Sequence, residues 1–180
     1  MRIGLVADTH VPTRLPRLPA ALLDGLCGVD MILHAGDLVN LNVVSVLQGI
    51  APTIAVAGNM DGPRVRRALP RQRIARLGGC SVGLQHGHQP HALQRRYIGR
   101  DFDAPEMALF FAAMRKGLPA ADVIVFGHFH VPVITTWEGC LFVNPGAVAP
   151  SHGRSTFALL EIDGEVRARI VDLAGGPSAP

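Results

Sequence analysis

Ile3-Gly4-Leu5-Val6-Ala7-Asp8-Thr9-His10 is an apolar run that stops at a carboxylate and an imidazole. A short continuous apolar run bounded by polar residues reads as a buried strand. The same grammar recurs along the chain: residues 31–33 lead to Gly36-Asp37, 54–57 to Gly58-Asn59-Met60-Asp61, 82–84 to His86 and His88, and 123–126 to His128 and His130. Five strand ends thus present nitrogen and oxygen donors to one edge of the fold. Because side chains alternate along a strand, Asp8 with His10, and His128 with His130, are expected to aim at the same place. Together the clusters read as one divided metal site.

Working outward, Pro12, Pro16 and Pro19 forbid helix until about Ala20. Helical patterns then span 20–26 and 41–48, the second with Asn40 as a candidate N-cap. Strands 3–7, 31–33 and 54–56 with these helices make a βαβαβ order, hence a parallel sheet. Gly78-Gly79 between 72–77 and 81–84 signals a two-residue hairpin. A helix is read from Pro105 to Lys116, with Gly117 as its stop. Strands follow at 123–126, 131–136, 141–143, 156–162 and 166–171, with turns at Glu138-Gly139 and Asp163-Gly164. The expected fold class is α/β (α+β): two mixed sheets face to face with helices outside, one domain over 1–173, and a frayed tail over 174–180.

At 180 residues, 48% hydrophobic and 17% charged, the chain can bury a sizeable core. The few apolar residues before Asp8 are too short for a signal peptide or a membrane span, so a cytoplasmic location is expected. Cys27, Cys80 and Cys140 are odd in number and widely spaced, which argues against a disulfide framework. The net charge of +3 comes almost wholly from arginine, Lys116 being the one lysine. Arg64, Arg66, Arg67, Arg71, Arg73 and Arg76 form the densest run, but no aromatic residue interleaves for base stacking, and a nucleic-acid partner is not expected.

Asp8, His10, Asp37, Asn59, His86, His128 and His130 supply more donors than one tetrahedral ion needs, so two ions are the economical reading. A carboxylate can bridge two cations about 3.5 to 4 Å apart, and Asp37, in a tight loop after glycine, is the candidate bridge. Two divalent cations less two aspartates and a hydroxide leave about one positive charge, which suits a phosphate ester better than a neutral amide.

These motifs resemble the calcineurin-like metallophosphoesterases, in particular the small bacterial and archaeal phosphodiesterases of the YfcE type. The family pattern D-x-H, GD, GN-x-[ED], H-G-H, GH-x-H and NPG is met by Asp8/His10, Gly36-Asp37, Gly58 to Asp61, His86-Gly87-His88, Gly127 to His130 and Asn144-Pro145-Gly146. The resemblance implies an αββα sandwich with its site at the strand C-terminal edge. It implies two divalent ions (manganese, nickel, iron, cobalt or zinc), one held by Asp8, His10, Asp37 and His130, the other by Asp37, Asn59, His86 and His128. It implies hydrolysis of a small or nucleotide-like phosphate ester by metal-bound hydroxide. The alternatives are a phosphomonoesterase or nucleotide pyrophosphohydrolase with the same site, or a non-catalytic scaffold that binds partner proteins, as retromer-subunit relatives do.

Many larger members of the family carry histidine directly after the asparagine, where this chain has Met60, which cannot donate a proton. His88 and Asp61 are therefore the catalytic candidates for serving the leaving group, unless water does so or the leaving group is a good one. Asp61 is read equally as a support for the Asn59 loop or a cap at Pro63, and His88 as a substrate or ligand-supporting residue. His34 is read as an orienting residue behind the ligands or as an interior histidine. The arginine run is read as a solvated face, with Arg64 the candidate within it to meet substrate, and an arginine in the cleft would favour a monoester. Arg95, Arg96, Tyr97 and Arg100, in the insert beyond His88, are candidates for a cleft rim as against a solvated face. Phe110 and Phe111 are expected in the core, although their helix is also where a homo-oligomer contact would lie.

Overall fold

The computed structural model describes residues 1–151 and 153–173. The 174–180 tail and His152 lie outside the described residues. The first half runs β1 (Arg2–Val6), α1 (Ala20–Gly25), β2 (Met31–His34), α2 (Asn42–Gln48), β3 (Thr53–Ala55) and α3 (Pro63–Ala68). Then come β4 (Gln72–Leu77), β5 (Cys80–Gln85), α4 (His91–Gln94), a 3-10 turn at Pro105–Met107 and α5 (Ala108–Gly117). The chain closes with β6 (Val123–Val125), β7 (Val133–Trp137), β8 (Cys140–Asn144), β9 (Thr156–Asp163) and β10 (Glu165–Asp172).

Two five-stranded mixed sheets result, ordered β10-β9-β1-β2-β3 and β4-β5-β6-β8-β7. In the first, β1, β2 and β3 are parallel, with Leu5 beside Leu33 and Leu33 beside Ile54. In the second, β5, β6 and β8 are parallel and β4 and β7 are antiparallel edges. The hairpin turns on Gly78 and Gly79, whose φ angles of +55° and +85° are those of a two-residue turn matched to strand twist. The N-cap of α2 is Leu41, one residue beyond the expected Asn40, whose Oδ1 accepts the Asn42 N–H at 2.9 Å just before the helix.

Period-two alternation builds the layers. In β9, Ala158, Leu160 and Ile162 face the other sheet, while Phe157 and Leu159 face α1 and α2. Ile3, Leu5, Leu33, Val82, Leu84, Val125 and Val143 fill the space between the sheets. Helix α1 lies so close on the first sheet that a Cβ on Gly4 would sit 2.3 Å from Leu26 Cδ2. On the far side, α5 packs Phe110, Phe111 and Met114 against Phe126 and Phe142. The architecture is therefore the four-layer sandwich expected. Phe110 and Phe111 are spent in that core. Tyr97 does not line a cleft rim: it is buried against Phe110 and Phe129, and burial pushes its phenol up to about 12. Among the described residues no helix is long and apolar enough to cross a membrane.

Candidate metal centre

The C-terminal ends of β1, β2, β3, β5 and β6 meet at one end of the sandwich, and the seven candidate donors follow them. Pleat alternation, however, does not aim them. β1 ends at Val6 and β6 at Val125, so Asp8, His10, His128 and His130 lie in loops beyond the strands. Their backbones are left-handed instead, with φ of +53°, +46°, +74° and +58°, and Asp37 joins them at +58°. Such a conformation costs a non-glycine residue on the order of 1 kcal/mol or more and persists where surrounding bonds over-determine it. Here the Asp8 N–H donates to the Gly36 carbonyl and the His10 N–H to the Asp37 carbonyl, both at 3.0 Å. Close approach does the rest: a Cβ on Gly58 would lie 2.1 Å from Asp37 Oδ1, and one on Gly127 2.6 Å from Asp8 Oδ2.

Two donor groups form, Asp8–His10–His130 and Asp8–Asp37–His86, each with its ligand atoms within 4.8 Å of one another. Asp8 Oδ1 is 3.2 Å from His130 Nε2, 3.8 Å from His10 Nε2 and 3.9 Å from His86 Nε2. Asp37 Oδ2 is 3.2 Å from His86 Nε2 and 3.9 Å from His10 Nε2. The carboxylate common to both groups is thus Asp8, with Asp37 reaching towards each. His128 and His130 do not converge on one point: His130 joins Asp8 and His10, while His128 sits beside His86 with ring centroids 5.3 Å apart.

The donor set suits a cation. Asp8 Oδ1 is buried and accepts no hydrogen bond, a costly state for a carboxylate oxygen unless a positive charge answers it. The His86 Nδ1–H donates to the Ala35 carbonyl at 2.8 Å, which leaves a lone pair on Nε2 of the neutral ring. That lone pair faces Asp37 Oδ2 at 3.2 Å and Asn59 Oδ1 at 3.0 Å, so a proton or a metal ion belongs between them. Burial opposes charge on His86, but the Asp37 hydrogen bond and the Asp8 charge outweigh it and raise its pKa. Burial would likewise raise Asp37, yet the His86 hydrogen bond and charge, with the Met60 N–H, bring it below the usual carboxylate range. Burial lowers His10 and, with His86 nearby, pushes His128 down to about 4; these neutral imidazoles are the form that ligates metal.

Comparison with known proteins adds the family. The calcineurin-like phosphoesterase superfamily domain matches residues 1–165. The chain belongs to that superfamily. A probable metallophosphoesterase of Methanothermobacter thermautotrophicus is 33% identical over 98% of this chain and 95% of its own length. A phosphodiesterase of Methanocaldococcus jannaschii is 26% identical over 81% and 83%. The crystal structure of Vps29 from Entamoeba histolytica complexed with Zn2+ superposes with a TM-score of 0.69 at 25% identity, over 96% of this chain and 99% of that one. Divalent metals are the cofactors this superfamily implies, and the donor groups above are where this phosphoesterase domain would hold them.

The surrounding residues of the phosphoesterase site divide by contact. His34 is fully buried behind the ligands; its Nδ1 accepts the Gly36 N–H at 3.2 Å, so Nε2–H faces Thr9 Oγ1, also at 3.2 Å, and burial holds its pKa at about 3. It steadies the Asp8-Thr9-His10 loop. Asp61 is buried, and its carboxylate is taken up by the Asp37, Val39 and Gly58 N–H groups, which it accepts at 3.1, 2.6 and 2.7 Å. It clasps the two ligand loops together, and it does not cap α3, whose N-cap is Gly62. Asn144 braces the His128 loop through a bond from Nδ2 to the Gly127 carbonyl at 3.0 Å. His88 is half-buried beside His86, and burial, with His86 and Arg71 close by, pushes it down to about 4.

Four contacts have no counterpart in the reading of sequence. Gln94 of α4 lies 2.9 Å from His128 Nε2, and Arg14 lies 3.3 Å from His130 Nδ1. Arg66 bonds the Asn59 carbonyl at 2.6 Å, and Arg71 bonds His88 Nε2 at 3.2 Å. Arg64 instead lines a separate hollow with Val39 and Asn42. For Arg66 and Arg71 the dense basic run is a signal, although position within it is not; Arg14 lies outside that run, and a lone glutamine gives no signal.

Proposed function

We propose that the protein is a metal-dependent phosphodiesterase that hydrolyses a small phosphate ester at a dinuclear centre. The observation that carries it is the pair of donor groups sharing Asp8, with Asp8 Oδ1 buried and unpartnered between three histidine Nε2 atoms. In this reading His10 and His130 would hold one divalent ion and Asn59, His86 and His128 the other, with Asp8 and Asp37, each within 3.9 Å of both His10 and His86, the carboxylates between them. Divalent ions held there would supply Lewis acidity towards a water and the phosphoryl oxygens, so that no separate protein base is needed. The chain's own part is positional: Asp61 and Asn144 fix the ligand loops, His34 holds Thr9, and the glycines let the backbones approach.

The diester reading draws support from the relative named a phosphodiesterase. Among the described residues neither Arg66 nor Arg71 donates to Asp8 or Asp37; both bond groups on the outer side, the Asn59 carbonyl and His88. A dianionic monoester would want a guanidinium at the donor groups themselves, and neither arginine is bonded there. Met60 is 61% exposed with no donor on its side chain, so a good leaving group, one that departs without protonation, is favoured.

The test is metal analysis of the purified protein, then turnover of aryl diesters and monoesters after chelation and after adding back manganese, nickel, iron, cobalt or zinc. Diester turnover that depends on added metal is expected. Equal activity in chelated and reloaded protein would refute the reading, and a metal-loaded protein inactive on every ester would return it to the scaffold class.

A further inference from the structure

Beyond His88 the cleft wall carries charge that the metal centre does not use. A cavity of about 360 Å³ opens there, lined by Ala57, Gly58, Arg66, Arg71 and His88. Arg66 comes from the last turn of α3 and Arg71 from the residue before β4, so two elements deliver guanidinium groups to one space. The arginine ion pairs among the described residues are Arg2–Glu161, Arg100–Glu106, Arg154–Asp172 and Arg167–Glu165, and neither cavity arginine takes part in one.

Each is steered by a single neutral acceptor. Arg66 Nη2 donates to the backbone carbonyl of Asn59, a candidate ligand, and Arg71 Nη2 donates to His88 Nε2. A guanidinium has five N–H donors in a planar fork, so most of that capacity remains directed at the cavity or at water. Such a fork pairs bidentately with phosphate or carboxylate oxygens. Gly58 lines the same cavity and touches Asp37, which places the space directly against the donor groups.

We infer that the Arg66–Arg71 cavity is a subsite for a second anionic group of the substrate, a phosphate or carboxylate carried on one arm of the diester. This rests on the phosphodiesterase reading for the scissile group, but the subsite itself is a property of the two arginines. It narrows the substrate class to diesters that bear at least one further negative charge, and it gives the protein a means of rejecting neutral-armed esters of equal reactivity.

The test uses metal-loaded protein and 4-nitrophenyl diesters whose second arm ends in a phosphate, a carboxylate or a hydroxyl. Wild type is expected to show a kcat/KM at least tenfold higher for one charged arm than for the hydroxyl arm, and the larger ratio identifies the anion. Arg66→Gln with Arg71→Gln should bring that ratio to within twofold, whereas Arg67→Gln, outside the cavity, should keep it. Calorimetry with 1,3-propanediol bisphosphate against propyl phosphate provides a reading independent of turnover: at least tenfold tighter binding of the bisphosphate is expected in wild type and lost in the double variant. Ratios within twofold in wild type, or undiminished in the double variant, would overturn the subsite. No turnover of any ester, with the bisphosphate preference intact, would instead overturn the hydrolase reading and leave the subsite standing.

Discussion

Asp61→Asn separates a structural clasp from a proton donor. Asp61 is 1% exposed; one oxygen accepts the Asp37 and Gly58 N–H groups at 3.1 and 2.7 Å, and the other accepts the Val39 N–H at 2.6 Å. An asparagine keeps its carbonyl for the first pair, but its NH2 then faces the Val39 N–H, donor against donor. The loss is one charge-assisted bond, about 1.5–3 kcal/mol, together with part of the cost of an unmet N–H, so about 3 kcal/mol is expected. With a urea slope of about 2 kcal/mol/M the midpoint of the chelated protein should fall by about 1.5 M. Because the same bonds set Asp37 and the loop of Asn59, the metal concentration for half-maximal turnover should rise at least tenfold, while kcat at saturating metal stays within a few-fold. A urea midpoint unchanged to within about 0.25 M, with saturated turnover abolished, would refute the clasp and make Asp61 a chemical participant.

Gly58→Ala puts a methyl group 2.1 Å from Asp37 Oδ1 and 2.6 Å from its backbone nitrogen, so bound metal per chain, measured by elemental analysis, should fall by half or more; undiminished metal would show that the loops yield. His34 is neutral and buried, its pKa held at about 3 in the fold against the ordinary 6.5 of the unfolded chain, so the folded state binds fewer protons between those values. Its contribution is complete above pH 6.5 and declines as pH falls, by about 2 kcal/mol at pH 5; denaturation of chelated His34→Gln should show that much less loss than wild type between pH 7 and 5, and parallel curves would contradict it. Met60→His should raise kcat at least tenfold on an alkyl diester while moving an activated aryl diester little, since general acid catalysis matters where the leaving group is poor. No gain on the alkyl ester would mean that protonation is not limiting.

The layered fold was legible because its code is local and repetitive. Apolar runs ending in polar clusters marked the strands, Gly78-Gly79 marked the hairpin, and proline punctuated the helix starts. The 90–104 stretch was less legible: α4 is a single turn, too short for periodicity to announce, and Tyr97 enters the core because Phe110 and Phe129 from distant segments form its surroundings. Asp61 shows the same limit within the site. A carboxylate two residues after Asn59 looks like a participant in chemistry until the Asp37 loop, twenty-four positions away, is seen to present its amides to it.

Sequence by itself determined which residue types gather and at which edge, because strand ends in parallel sheets point one way and the donors follow those ends directly. Only tertiary structure decided which donor meets which. Left-handed turns at Asp8, His10, Asp37, His128 and His130, held by bonds between loops far apart in the chain, aim the side chains and split the two histidines of the last motif. Arg66 and Arg71 became a pair in the same way: five positions apart and on different elements, they share a cavity only because the chain between α3 and β4 turns them towards it. Direction in space is set by long-range hydrogen bonds and close backbone contacts, and neither is written in the spacing of residues.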